Sequence, residues 1–240
     1  MPVVIEHPQG KRDNVRLMIE LPPEVLARRA ALPVRPAPVV LTGPIVELRP
    51  LVPEDVDALF AVSSGAACER AGRSHGAYDA EAQIWRWMSG GPFANPEALR
   101  AWLAPQLAAA DGLALTVSVA GAPIGVANFL ANQPAHLKIE LGSLWYGPVA
   151  QGTGVSAEVT RLMLGHAFAL GYRRVEWKCD AQNQRSRRAA LAYGFTFEGI
   201  QDAHYIVKQR NRDTAWFRML AAEWPAREVA LRAYAAARGW

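Results

Sequence analysis

The chain has 240 residues, 51% of them apolar and 20% charged, and a formal net charge of +4. Its length suits one domain with room for an arm or tail, and its apolar share can bury a core, which excludes a wholly disordered chain. Arginine supplies 22 of the 26 basic residues, a bias that either reflects composition or serves an anionic ligand, and that does not by itself demand nucleic acid.

Residues 1–40 read as an arm, packed on the domain or partly disordered. Prolines 2, 8, 22, 23, 33, 36 and 38 punctuate it, and IELPPEVLARRAAL has room for one short helix. IVELRPL (45–51) reads as a strand and PEDVDALFAVSS (53–64) as a helix, with Pro53 near its start and acidic residues in its first turn. Residues 65–96 are rich in Gly, Ser and Ala. PEALRAWLAPQLAAA (96–110) has helical spacing. ALTVSVA (114–120), Gly121 and PIGVANFL (123–130) form a hairpin pattern, and HLKIELGSLWYG (136–147) a further strand. Val155, Val159, Leu162, Met163, His166, Ala167 and Leu170 share one helical face, stopped by Gly171. YRRVEWKC (172–179) follows as a strand and QRSRRAALAY (184–193) as a helix closed by Gly194. FTFEG, HYIVK (204–208) and TAWFRML (214–220) supply a terminal strand pair with QRNRD (209–213) as its loop, and residues 223–240 a last helix. The class is α+β, with an arm (1–40), a main domain (41–222) and a C-terminal helix (223–240).

Cys68 and Cys179 are too few for a disulfide framework and lack metal-site spacing. The N-terminus carries no secretory apolar core, and no apolar run reaches the roughly 18 residues of a membrane span. A cytoplasmic protein without metal or membrane partner is the expectation.

The stretch WYGPVAQGTGVSAEVTRLM (145–163) carries the main chemical signal. A strand runs into the turn Gln151-Gly152-Thr153-Gly154 and a helix follows at once. Helix starts hold four unpaired N–H groups and about half a positive charge, and glycine allows close approach, so this is a phosphate or pyrophosphate cradle; a plain turn is the other reading. No Lys-Ser/Thr follows, so it is not a Walker loop, and Ala157 stands where GxGxxG needs its third glycine. Beside it, Arg173, Arg174, Lys178, Arg185, Arg187 and Arg188 face only Glu176 and Asp180. That strip is either a rim for a phosphorylated ligand or a solvated face. Only Trp177 is interleaved, so no nucleic-acid partner is expected.

These residues in this order resemble the GNAT acyl-CoA N-acyltransferase superfamily, and more closely its ribosomal-protein N-terminal acetyltransferase (RimJ/RimL-like) branch. The family's Q/R-x-x-G-x-G/A is matched by Gln151-Gly152-Thr153-Gly154-Val155-Ser156, with Ser in the last place. N-x-R-S-x-R is matched by residues 183–188, G-F-x-x-E-G by 194–199, and the ligand-flanking fourth strand by 140–146. RNRDTAW (210–216) is similar to an ending common in the branch, and the likeness spans about 43–222. It implies a mixed, mostly antiparallel sheet flanked by helices, whose fourth and fifth strands splay apart. The pantetheine of acetyl-CoA would lie in the gap and its pyrophosphate on residues 151–156. Leu144, Trp145, Tyr146, Asn183 and Arg187 join the implied cofactor-binding set.

The implied reaction is direct attack of a primary amine, on a protein N-terminus or a small molecule, on the thioester. A lysine amine near pKa of about 10.4 needs a base more than an α-amine at about 7.7–8.0, and a thiol of about 8.5 leaves with modest help. Glu140, eleven residues before Gln151, stands where several family members place a catalytic glutamate; Glu198 and His204 are second choices, and each is also readable as structural. His166 reads as a core histidine. A backbone N–H around Leu144 to Tyr146 is the implied oxyanion donor. The tyrosine acid of many relatives is replaced by Ala190, while Ser186 matches the branch's serine as proton donor or as a helix cap, and Asn183 reads as a pantetheine ligand or a cap. Tyr193 and Cys179 read as buried packing. Trp85, Trp87 and Trp102 either line an apolar acceptor pocket or pack in the core. Acidic and basic residues balance across 65–110, so charge there does not select an acceptor. A non-catalytic acyl-CoA-binding module is the alternative function, and a homodimer is compatible with either.

Overall fold

Burial sorts the chain into layers. The computed structural model describes residues 4–6, 12–14 and 20–240; the rest of the expected arm's first 19 residues lies outside the described residues. β1 (Val4–Glu6) and β2 (Arg12–Asn14) pair antiparallel. α1 (Pro23–Ala31) starts with its prolines in the first turn, where a missing N–H costs nothing. Beyond it Leu32 enters the core, and Asn132 Nδ2 donates to the carbonyls of Pro33 (2.9 Å) and Val34 (2.8 Å). This stretch of the arm is therefore packed against the sheet.

The main sheet begins with β3 (Leu41–Thr42) and β4 (Glu47–Pro50). The expected helix at 53–64 is shorter, a 3-10 turn at 53–55 leading into α2 (Val56–Ala61). The glycine-rich stretch holds a small hairpin, β5 (Cys68–Arg70) and β6 (Arg73–His75), then α3 (Ala80–Gln83) and, from Pro96 to Ala108, α4. Asn95 caps α4 by accepting from the Ala98 N–H (2.9 Å). β7 (Leu113–Val119), β8 (Ala122–Gln133) and β9 (Lys138–Tyr146) form the meander. α5 (Val155–Leu170) fits its expected limits, stopped by Gly171 at φ +103. β10 (Arg174–Asp180), α6 (Gln184–Ala192), β11 (Thr196–Val207), β12 (Arg210–Leu220) and α7 (Trp224–Ala236) complete the chain.

The eight-stranded sheet runs β11-β12-β10-β9-β8-β7-β4-β3. Every pair is antiparallel except β9 with β10, which α5 connects as a crossover. β7 is buried at every position. Its odd residues Leu115 and Val117 join the core with α5 and α7, while Ala114 joins the core with α2, α4 and Trp85 on the opposite face. On that second face Asp55 binds Arg49 through both oxygens and accepts from Thr116 Oγ1 (2.6 Å). Burial alone would raise the Asp55 carboxyl, but these partners hold it below its ordinary value.

The terminal strands are longer than the sequence pattern suggests. QRNRD is not a loop: the turn is Lys208-Gln209, both left-handed at φ +49 and +60, and Arg210 to Asp213 belong to β12. A two-residue hairpin turn needs those signs, but usually advertises them with Asn or Gly.

Candidate active site

β9 and β10 pair over only four positions, from Lys138↔Arg174 to Leu141↔Trp177. Past this point β9 takes a bulge at Ser143 (φ +47), where its register against β8 shifts, and continues to Tyr146. β10 leaves in another direction to stay paired with β12. Between them opens a cavity of about 710 Å³. It runs from the start of α5, past α6, to the apex of the V at Glu140 and Lys178, and on beneath the β11–β12 hairpin. The splayed fourth and fifth strands expected from the sequence are this pair.

One end of the cavity is the α5 loop. Gly152 takes φ +76 with open space where a Cβ would stand. Among the described residues the N–H groups of Gly152, Thr153, Ser156 and Ala157 have no acceptor, the pattern of a helix start ready for an anion. Two expected donors are spoken for. Val155 is fully buried and its N–H goes to Thr153 Oγ1 (3.2 Å). The N–H of Gly154 donates to the Gly239 carbonyl (2.6 Å). Gly154 has an ordinary φ of −72, so its lack of a side chain answers crowding: a Cβ would sit 2.4 Å from the Ala235 carbonyl. Its partner is the end of α7, which also brings Tyr234 and Arg238 to the cavity wall. Sequence reading missed these two, because nothing local ties residue 238 to residue 154.

Ser156, the departure from Gly or Ala, faces the phenols of Tyr146 and Tyr193. Burial raises both hydroxyls, and the serine hydroxyl partly offsets that. Tyr193 is core, as expected, yet it also touches the cavity. Gln151 donates from Nε2 to the carbonyls of Tyr146 (3.1 Å) and Gln83 (3.3 Å), and accepts from Arg185 (3.0 Å).

Along the middle, Asn183 caps α6 by accepting from the Ser186 N–H (3.1 Å), and Trp177 Nε1 donates to Ser186 Oγ (3.0 Å). An indole is a donor only, so the serine's own proton points elsewhere. Cys179 beside it is buried, and burial raises its thiol, which suits an inert group. Arg187 is placed away from the cavity: it donates to the Ala181 carbonyl (3.0 Å) and covers the Phe197 ring. Arg185 holds the wall instead, bridging α6 to Gln151 and to the Gln83 carbonyl (2.6 Å).

At the apex Glu140 is 9% exposed, and Lys178 Nζ holds its Oε2 at 2.7 Å. Burial pushes the Glu140 carboxyl up, and Lys178 pulls it partly back. Glu198 is not at the cavity; both its oxygens bind Arg174, beside Glu176. His204 packs between Tyr205 and Trp216 and does not line it. Of the three tryptophans only Trp87 does: Trp85 is fully buried with its Nε1 on the Ser63 carbonyl (2.9 Å), and Trp102 packs on it. His166 is half-buried against Phe129. Among the described residues no group of three acidic, His or Cys side chains could hold a metal, and no helix is long and apolar enough to cross a membrane.

Residues 46–196 match the model of the acetyltransferase (GNAT) domain. The chain is 36% identical to a GCN5-related N-acetyltransferase from Brucella melitensis, covering 84% of this chain and 87% of that one with a TM-score of 0.74. It is 32% identical to a probable GNAT-family acetyltransferase from Chromobacterium violaceum, covering 80% and 90% with a TM-score of 0.70. The chain belongs to the GNAT acetyltransferase family. The microcin C7 self-immunity acetyltransferase MccE, solved with acetyl-CoA and AMP, shares the fold at 17% identity, covering 74% and 93% with a TM-score of 0.62. No curated protein matches the chain.

Proposed function

We propose that this GNAT protein moves the acetyl group of acetyl-CoA to a primary amine by direct attack, as RimJ/RimL-like enzymes do on protein N-termini. The observation that carries the reading is the parting of β9 from β10, with free helix-start amides at one end of the gap and a buried carboxylate at the other. The MccE structure with acetyl-CoA supports that donor for this fold. The pyrophosphate lies on the N–H groups of 152, 153, 156 and 157, with Arg238 beside it and the pantetheine along β9.

Glu140 is the base. Lys178 occupies Oε2 and leaves Oε1 to take a proton from the amine, directly or through water. The nitrogen then bonds to the acetyl carbon, and a backbone N–H of the Leu144 to Tyr146 stretch meets the oxyanion. The C–S bond breaks, and the thiolate takes the proton of the Ser186 hydroxyl, whose lone pair Trp177 holds, as a water replaces that proton on the serine and Glu140 returns its own proton to solvent. Products are the amide and free CoA. Ala190 leaves no tyrosine for that step.

The test is CoA-thiol release over an amine panel, run beside CoA binding by calorimetry. Turnover on at least one amine supports the reading. Tight CoA binding with no release on any amine moves the chain to the non-catalytic acyl-CoA-binding module.

A further inference from the structure

Beyond the apex, the cavity wall carries one cation that the proposed chemistry does not use. Arg212 lines the cavity from β12, its Nε is buried without a partner, and among the described residues it forms no ion pair. Its neighbours are all committed. Lys178 is neutralised by Glu140 and lies 4.2 Å from the Trp216 ring centre. Lys208 binds Glu81 (3.0 Å) and the Trp85 carbonyl (2.8 Å). That last contact ties the tip of the β11–β12 hairpin across to the opposite side of the cavity. Within that hairpin Arg212 is the cross-strand partner of Tyr205 and lies over its ring. Two further carboxylates line the cavity, Asp111, which is solvent-exposed, and Asp180, which is half-buried and accepts from the Gln182 N–H (2.8 Å).

We infer that the acceptor is a small zwitterion, a primary amine with a carboxylate or phosphonate one or two carbons away, whose anionic group is gripped by Arg212 while its nitrogen faces Glu140. A guanidinium fork suits a planar carboxylate, and a buried donor left unpaired penalises any acceptor that lacks the anion. Trp87, Met88 and Leu130 supply an apolar wall for the rest of the molecule. A peptide N-terminus offers a neutral amide there, whose carbonyl can accept one hydrogen bond but neither balances the Arg212 charge nor forms the two-pronged pair. The inference rests on the acetyltransferase reading and deepens it.

The experiment compares matched acceptors with acetyl-CoA: an apolar α-amino acid, its carboxamide, the decarboxylated amine, the corresponding aminophosphonate and a short peptide. The acid is expected to exceed its amide and the bare amine by about 100-fold in kcat/KM, near the upper end of what one buried donor left unsatisfied imposes. The aminophosphonate then reports which anion is preferred. Arg212→Gln should erase this preference and leave CoA affinity unchanged, whereas Arg212→Lys should keep part of it. Equal rates for acid, amide and peptide, or an Arg212→Gln loss shared equally by all acceptors, would overturn the inference. If no acceptor turns over, binding of the same panel to the CoA-saturated protein decides: a retained preference for the acid supports Arg212's role while transfer itself fails, and no preference overturns it.

Discussion

At the proposed phosphate end of the cavity, the free amides come from one continuous run, Gly152 to Ala157, joined by the Arg238 side chain. At the proposed acceptor end, Trp87, Glu140, Lys178 and Arg212 line the cavity from four separate segments and present side chains. The first end is set by local conformation, a turn followed by a helix. The second exists only because the sheet order brings β12 beside β10 and β10 beside β9. Mutations should therefore behave differently at the two ends, in binding at one and in turnover at the other.

The largest effect is expected from Glu140→Gln, a loss of about 100- to 1000-fold in kcat/KM near neutral pH, in the range of general-base catalysis. The carboxylate works only when ionised, so the wild-type rate falls as pH drops through its pKa. Because burial raises that pKa, the acidic limb should lie above the ordinary carboxylate range. In the variant the deficit shrinks at high pH, where the amine is already neutral. A pH–rate profile of the same shape in both proteins would remove Glu140 as the base.

Gly154→Ala comes next and tests the phosphate end through its support. The new methyl group would meet the Ala235 carbonyl at 2.4 Å, so the end of α7 must move. We expect a stability loss of about 2 kcal/mol by denaturant melting, typical of overpacking, and about tenfold weaker CoA binding. Full stability with weaker binding would mean that Gly154 serves the ligand directly.

Ser186→Ala should lower kcat about tenfold with CoA affinity intact, since Asn183 caps α6 through the Ser186 backbone and not its hydroxyl. Unchanged turnover would leave the thiolate's proton to solvent. The smallest effect is expected from Arg238→Gln, a several-fold rise in the CoA dissociation constant that fades at high salt, because the charge is partly exposed and screened. A salt-independent loss would point to packing on Tyr234, over whose ring this arginine lies at 3.6 Å.

The same contrast explains what could be read in the sequence. α5 was legible to its ends because its apolar face repeats at helical spacing and Gly171 stops it. The Gly loop is legible in one contiguous motif, whereas the splayed strands rest on the family resemblance. Arg185 and Arg187 were harder: two residues apart on a helix they point about 200° from each other, so only one can face the gap, and the sequence alone does not set the phase of α6. Lys178 as partner of Glu140 depends on the parallel register of β9 and β10, and Arg238 on the packing of α7 across α5. The Lys208-Gln209 turn was hidden because neither residue favours a left-handed conformation.

Four register pairs are all that join β9 directly to β10, and hence the two halves of the main sheet. A pantetheine chain laid in the gap would contribute hydrogen bonds where protein strand is lacking, and so act as a removable piece of the fold. Thermal resistance would then climb logarithmically with free CoA. The backbone amides of residues 142–146 would be the ones whose hydrogen exchange slows first on loading.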